Sequence, residues 1–159
     1  RNRMVPARIS GFETVLQKTG RRIFQSYEEA RMIRIASIPN NIVMIEKYLI
    51  GIFDEYKIDQ KHYHNVFISI TEAVNNAIIH GNGEDANKFV HINSEKKNRC
   101  ISFKISDEGH GFDPKTIPDP TLPENLERCG GRGVFLMHKL SNRVVFSDNG
   151  RTVEIEFEI

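Results

Sequence analysis

The sequence predicts an α+β domain: a two-layer α/β sandwich, with helices on one face of a mostly antiparallel sheet and the other face open. Three observations predict it. Val153, Ile155, Phe157 and Ile159 alternate with Glu154, Glu156 and Glu158, the period of a strand with one buried and one wet face. Ile101, Phe103 and Ile105 alternate in the same way with Ser102, Lys104 and Ser106. Two segments between residues 40 and 81 carry apolar residues at helical spacing. A doubly wound parallel sheet would show continuous apolar runs instead.

Residues 31–38 read as the first strand, stopped by Pro39. Asn40 or Asn41 then caps a helix, whose stripe of Ile42, Ile45, Leu49, Ile52 and Phe53 runs to about Tyr56. Asp59 caps a second helix with the stripe Phe67, Ile70, Val74, Ala77 and Ile78, ended by Gly81 and Gly83. Residues 88–95 form a loosely alternating strand. Val144 and Phe146 mark another, ahead of the final strand. Between residues 107 and 133 the pattern breaks, with Pro114, Pro118, Pro120 and Pro123 close together and glycines at both ends. A loop of that length in a small domain reads as a functional lid.

At 159 residues, 39% hydrophobic and 27% charged, the chain has the length of one domain with a real core. This composition excludes collagen-like, low-complexity and fully disordered chains. No apolar run approaches the ~18 residues of a membrane span, and no secretory apolar region stands near the start. Cys100 and Cys129 are too few for a disulfide scaffold, so a reducing, cytoplasmic setting is expected. Residues 1–34 hold eight basic and three acidic residues, whereas residues 35–159 hold fourteen and eighteen. A basic extension over residues 1–29 therefore precedes a domain over residues 30–159. Phe12, Val15, Leu16 and Ile23 suit a short docked helix in that extension. It lacks interleaved aromatics, zinc ligands and a helix-turn-helix pattern, so direct nucleic-acid binding is not expected.

Three motifs carry chemistry. Glu72 and Asn76, spaced i, i+4, share a helical face opposite the apolar stripe. A carboxylate there can take a proton from a hydroxyl or water, and an amide oxygen suits Mg²⁺. Next, Asp107-Glu108-Gly109-His110-Gly111-Phe112 follows a strand end. The acid can accept a hydrogen bond from an exocyclic amine such as that of adenine, and the glycines let backbone approach a flat ligand. Last, Gly130-Gly131-Arg132-Gly133 opens a helix beginning at Val134. Free backbone N–H groups at such a start cradle phosphates, with Arg128 and Arg132 placed for charge-assisted bonds.

In this order the motifs resemble the Bergerat ATP-binding fold shared by DNA gyrase, sensor histidine kinases, the heat-shock ninety chaperone and mismatch-repair MutL. Glu72 and Asn76 match its N box, Asp107-x-Gly109-x-Gly111 its first glycine box and Gly131-x-Gly133 its second. Within that fold the chain is most similar to anti-sigma factor serine/threonine kinases. The likeness lies in Glu-Ala-Val-x-Asn-Ala-Ile-x-His-Gly at residues 72–81, Gly111-Phe112-Asp113-Pro114, and Leu126-Glu127-Arg128 before the glycine loop.

That resemblance implies ATP and Mg²⁺ as cofactors and an ATP-dependent protein serine/threonine kinase. It implies Glu72 as general base and Asn76 as Mg²⁺ ligand. Asp107 becomes the adenine reader, with Gly109, Gly111 and Phe112 beside it. Gly130, Gly131, Arg132, Gly133 and Val134 become the lid and phosphate cradle, with His80 near the phosphates. Arg128 assists at the γ-phosphate, with Arg132 competing for that role because of the spacing. The resemblance also implies Thr152 as a second adenine contact, although where the family often has Gly-Thr before the last strand this chain departs from the pattern and reads Gly150-Arg151-Thr152. The implied partners are ATP or ADP, an anti-sigma antagonist, a sigma factor and a second copy of the chain, with no membrane. The implied role is bacterial transcription regulation. The alternative is a nucleotide-dependent protein-binding switch without phosphotransfer. His62-x-His64 has metal-like spacing but no partner ligand in sequence, so no zinc site is expected.

Overall fold

A computed structural model describes residues 31–116 and 131–159. The expected helix at Phe12–Ile23, the basic extension, Arg128, Cys129, Gly130 and much of the proline-rich stretch lie outside those residues.

Among the described residues the chain forms β1 (Met32–Ala36), α1 (Val43–Tyr56), α2 (Tyr63–Asn76), β2 (Phe89–Lys97), β3 (Cys100–Ser106), α3 (Arg132–Leu140), β4 (Arg143–Ser147) and β5 (Thr152–Glu158). The sheet order is β1-β2-β3-β5-β4, and every neighbouring pair is antiparallel. Register pairs Ile92 with Ile105, Phe103 with Ile155 and Ile101 with Phe157. These side chains are buried under the helices. On the other face Lys104 stands between Asn93 and Glu154, and Ser102 between Glu95 and Glu156. The sandwich with one open face is therefore the observed architecture.

The helix stripes supply the second layer. Ile45, Leu49, Ile52 and Phe53 of α1 and Val66, Ile70, Ala73 and Val74 of α2 are buried. Each of the large ones contributes on the order of 1.5–3 kcal/mol by leaving water. Phe67 is only partly buried and stacks on Tyr63, their ring centroids 5.8 Å apart.

Two helix starts teach different things. Asp59 accepts a hydrogen bond from the Lys61 N–H at 2.9 Å and caps a short 3₁₀ turn, Gln60–His62, that feeds α2. Asn40 and Asn41 do not cap α1. A 3₁₀ turn, Pro39–Ile42, starts first, with no side-chain cap. Pro39, with its fixed φ, begins that turn. The Asn41 amide instead donates back to the Ala36 carbonyl at 3.0 Å.

The end of α2 also departs from a plain helix. Ala77–Gly81 is a π turn, closed by the Asn82 N–H donating to the Ala77 carbonyl at 2.8 Å. Such widened turns re-aim side chains and often sit at functional sites. Here the turn delivers His80 and Gly81 to the edge of a cleft.

Candidate nucleotide-binding cleft

The cleft, about 480 Å³, lies between the face of α2, the start of α3 and the ends of β3 and β5. Its apolar lining includes Ala73, Ala77, Ile105, Val134, Met137, Phe146 and Val153. Its polar lining includes Asn76, His80, Asp107, Arg132 and Arg151. A mostly apolar slot with a few convergent polar groups is the usual form of a cofactor site.

At one end stands Asp107, where β3 runs out. Its N–H donates to the Arg151 carbonyl at 3.0 Å, and its Oδ1 accepts from the Gly109 N–H at 2.8 Å. Burial pushes its carboxyl above the usual carboxylate range. The Gly109 N–H and then the charges of Arg151 and Lys88 pull the other way, while Asp148 adds to the rise. The surroundings are glycine by necessity. A Cβ on Gly81 would stand 2.5 Å from Asp107 Oδ2, and one on Gly109 would overlap the Gly81 carbonyl oxygen. Gly111 has φ +79°, and a Cβ there would meet the Asn149 carbonyl. From that turn the Phe112 N–H donates to the Asn149 carbonyl at 2.7 Å, and its ring packs edge-on against Phe146, centroids 5.6 Å apart.

Buried Asn82 ties this end together. Its amide donates to Ser37 Oγ at 2.7 Å and to the Phe89 carbonyl at 2.9 Å, while its Oδ1 accepts from the Glu108 N–H at 2.7 Å. It thereby joins the chain after β1, the start of β2 and the loop carrying Asp107. Glu108 adds an outer clasp, accepting from the Phe89 N–H at 3.1 Å and meeting His91 Nε2 at 3.0 Å. The partners pull the Glu108 carboxyl below its usual range, His91 most of all. Sequence reasoning missed Asn82. A lone Asn after a glycine reads as turn chemistry, and its three partners lie in other segments.

At the other end, Glu72 and Asn76 face the first turn of α3. A Cβ on Gly133 would stand 2.5 Å from Glu72 Oε2 and 3.5 Å from Asn76 Nδ2. The shared face expected for these two residues thus meets backbone, and both are half-buried. Gly131 precedes α3 with φ +76°, and its carbonyl accepts the Phe135 N–H at 2.9 Å. The Asn76 amide and the Glu72 carboxylate stand together beside this helix start, and an amide oxygen is a donor of the type a hard cation accepts while keeping other ligands from phosphate and water.

The cleft brings together Asn76, His80, Asp107, Phe112, Gly131, Arg132, Gly133 and Val134, with Glu72, Gly109 and Gly111 against its walls. Thr152 is the correction. Strand alternation turns its side chain away from the cleft, where its hydroxyl shares a 2.9 Å bond with Ser106 Oγ. Arg151 lines the cleft in its place. His110 is exposed, as is Cys100. Among the described residues no helix is long and apolar enough to cross a membrane, and no group of three His, Cys, Asp or Glu is placed to hold a metal.

The family model described as the histidine kinase-like ATPase domain matches residues 36–157. Relatives include the serine-protein kinases RsbW of Staphylococcus aureus strains JH9 and Newman. Each is 30% identical over 139 residues, covering 82% of this chain and 87% of the relative.

Proposed function

Because this chain belongs to the histidine kinase-like ATPase family, we propose that it binds Mg·ATP in the cleft and transfers the γ-phosphoryl group to a Ser or Thr of a partner protein. The partner we propose is an anti-sigma antagonist, so that the nucleotide state governs the hold on a sigma factor in the bacterial cytoplasm. Residues 30–159 would carry this activity as one domain, most simply as a homodimer. The observation that carries the reading is the convergence of Glu72 and Asn76 on the first turn of α3, across an apolar slot from Asp107.

The chemistry follows from the placement. Asp107 accepts from the exocyclic amine of adenine, and Ile105, Met137 and Val153 offer an apolar bed for the base. Backbone N–H groups at Gly131–Gly133 meet phosphate oxygens. Arg132 adds positive charge there, and Arg128 is the other choice for the γ-phosphate. Asn76 would hold Mg²⁺ through its side-chain oxygen, and the bound ion would neutralise phosphate charge. Glu72 takes the proton of the acceptor hydroxyl as its oxygen bonds to the γ-phosphorus and ADP leaves. Positioning and charge stabilisation supply most of the rate in such transfers.

The test is calorimetric titration with Mg·ADP and Mg·ATP, followed by phosphotransfer to candidate antagonists, on wild type and Glu72→Gln. Micromolar binding in both proteins, with transfer lost by about 10²–10⁴-fold in the variant, supports the kinase. Equal nucleotide binding with no transfer by wild type to any candidate would favour the switch that only binds. No nucleotide binding by folded wild type would remove both readings.

A further inference from the structure

Both sides of α1 carry apolar residues, and only one side is covered. Ile45, Leu49, Ile52 and Phe53 are buried in the core. Val43, Lys47, Ile50, Gly51 and Asp54 share the opposite side and are exposed. Val43 and Ile50 are 67% and 53% exposed, and Met44 on the flank 41%. A surface helix ordinarily turns polar residues to water. Neighbouring apolar side chains on one helical stripe, rimmed by charge, mark a surface for another protein.

The stripe has the spacing of a helix-pairing seam. Val43, Lys47, Ile50 and Asp54 follow one another at intervals of four, three and four residues, the repeat at which one helix presents a row to another. Gly51 leaves a hollow beside Ile50, because a Cβ there would meet nothing within 4 Å.

The charges identify which helix fits. Lys47 and Asp54 are equidistant in sequence from the midpoint between Ile50 and Gly51. At the helical rise they are roughly 10 Å apart along the axis, too far to pair within one helix. Among the described residues no ion pair engages either of them, whereas Glu55 on the flank is taken by Arg31 at 3.8 Å. A second α1 laid antiparallel about that midpoint brings Lys47 of each copy to Asp54 of the other. The same step seats Ile50 of each copy in the hollow at Gly51 of the other. The face is thus complementary to itself in charge and in shape, as an isologous two-fold contact requires.

We propose that the outer face of α1 is a contact between two copies of this chain, crossing antiparallel at Ile50 and Gly51 with reciprocal Lys47–Asp54 pairs. The existence of a homodimer rests on the function proposed above, and this surface is a separate claim about it. One pair of 14-residue helices falls short of the roughly 1,200–2,000 Å² of a standard interface. By itself the contact therefore gives weak, salt-sensitive association.

The experiment is sedimentation equilibrium of the full chain at low and high salt, with Mg·ADP titrated alongside. The samples are wild type, Lys47→Glu, Asp54→Lys, an equal mixture of those two variants, and Gly51→Gln. Wild type should self-associate, and less so in high salt. Each single reversal sets like charges opposite one another twice per dimer and should weaken association about tenfold. In the mixture the two reversals complement each other, and association should return close to wild type. Gly51→Gln should melt at or above wild type, since Gln favours a helix over Gly, and yet associate more weakly because the hollow is filled. A monomeric wild type overturns the proposal, and if it still binds Mg·ADP the nucleotide reading stands. A dimer that none of the variants weakens also overturns it, leaving the homodimer to another surface. So does a mixture that fails to recover association. A dimer that follows this pattern without binding Mg·ADP supports the surface and removes the nucleotide reading.

Discussion

At the Asp107 end of the cleft, close contacts run from backbone to backbone: Gly109 lies against the Gly81 carbonyl, and Gly111 against that of Asn149. At the Glu72 end, the close contact runs from the tip of a flexible side chain to the backbone of Gly133. One end is therefore a fixed mould braced by Asn82 across three segments. The other end has parts that can swing. On the function proposed above, a rigid end and an adjustable end suit a site that must recognise one ligand and then let a group leave it.

This contrast can be broken or sharpened by substitution. The largest effect is expected from Gly109→Ala. Its Cβ meets a carbonyl oxygen that cannot step aside, so the unliganded protein should lose about 3 kcal/mol or more of stability. Its thermal midpoint should collapse along with nucleotide binding. A melt close to wild type would mean the closed end is looser than described.

Asp107→Asn comes next, and it separates stability from binding. The folded carboxyl is raised above its unfolded value by burial. Its stabilising contribution is therefore present below the unfolded value and lost as pH rises through the folded one. Near neutral pH the ionised group costs stability, so Asp107→Asn should melt higher than wild type there, with the gap closing on acidification. The same variant should bind Mg·ADP about 10–100-fold more weakly, the worth of a hydrogen bond to a charged group. In wild type, affinity should fall on acidification starting above the ordinary carboxylate range. Affinity flat down to the usual Asp range would remove Asp107 as the titrating reader.

Gly133→Ala should be the mildest. The clash is with the free end of Glu72, which can rotate away, and Ala suits a helix better than Gly by about 1 kcal/mol. Melting should hold or rise and ADP affinity should stay near wild type, while phosphotransfer drops several-fold as Glu72 is displaced. A stability loss comparable to Gly109→Ala would erase the distinction between the two ends.

Periodicity alone revealed the layers, because each strand and helix must turn its apolar face to the same core. The alternation of β3 and β5 and the stripes of α1 and α2 needed no tertiary information. Glu72, Asn76, Asp107 and Gly131–Gly133 stood out through the order of three short motifs and its resemblance to a known fold, each motif being weak alone, and the structure sets them along one cleft. Local competition was less legible. Pro39 took over the helix start from Asn40 and Asn41, and a π turn replaced the last turn of α2.

Other features were decided only by tertiary structure. Thr152 is one residue from the cleft face, and strand parity sends it to Ser106 while Arg151 lines the cleft. Asn82 is a single polar letter until β1, β2 and the Asp107 loop close around it. Sequence by itself determined which faces are buried and which chemical groups are available, since both follow from local period and residue type. Only the packed sheet decided which groups face one another, because strand register and the joining of distant segments are long-range constraints that no short window contains.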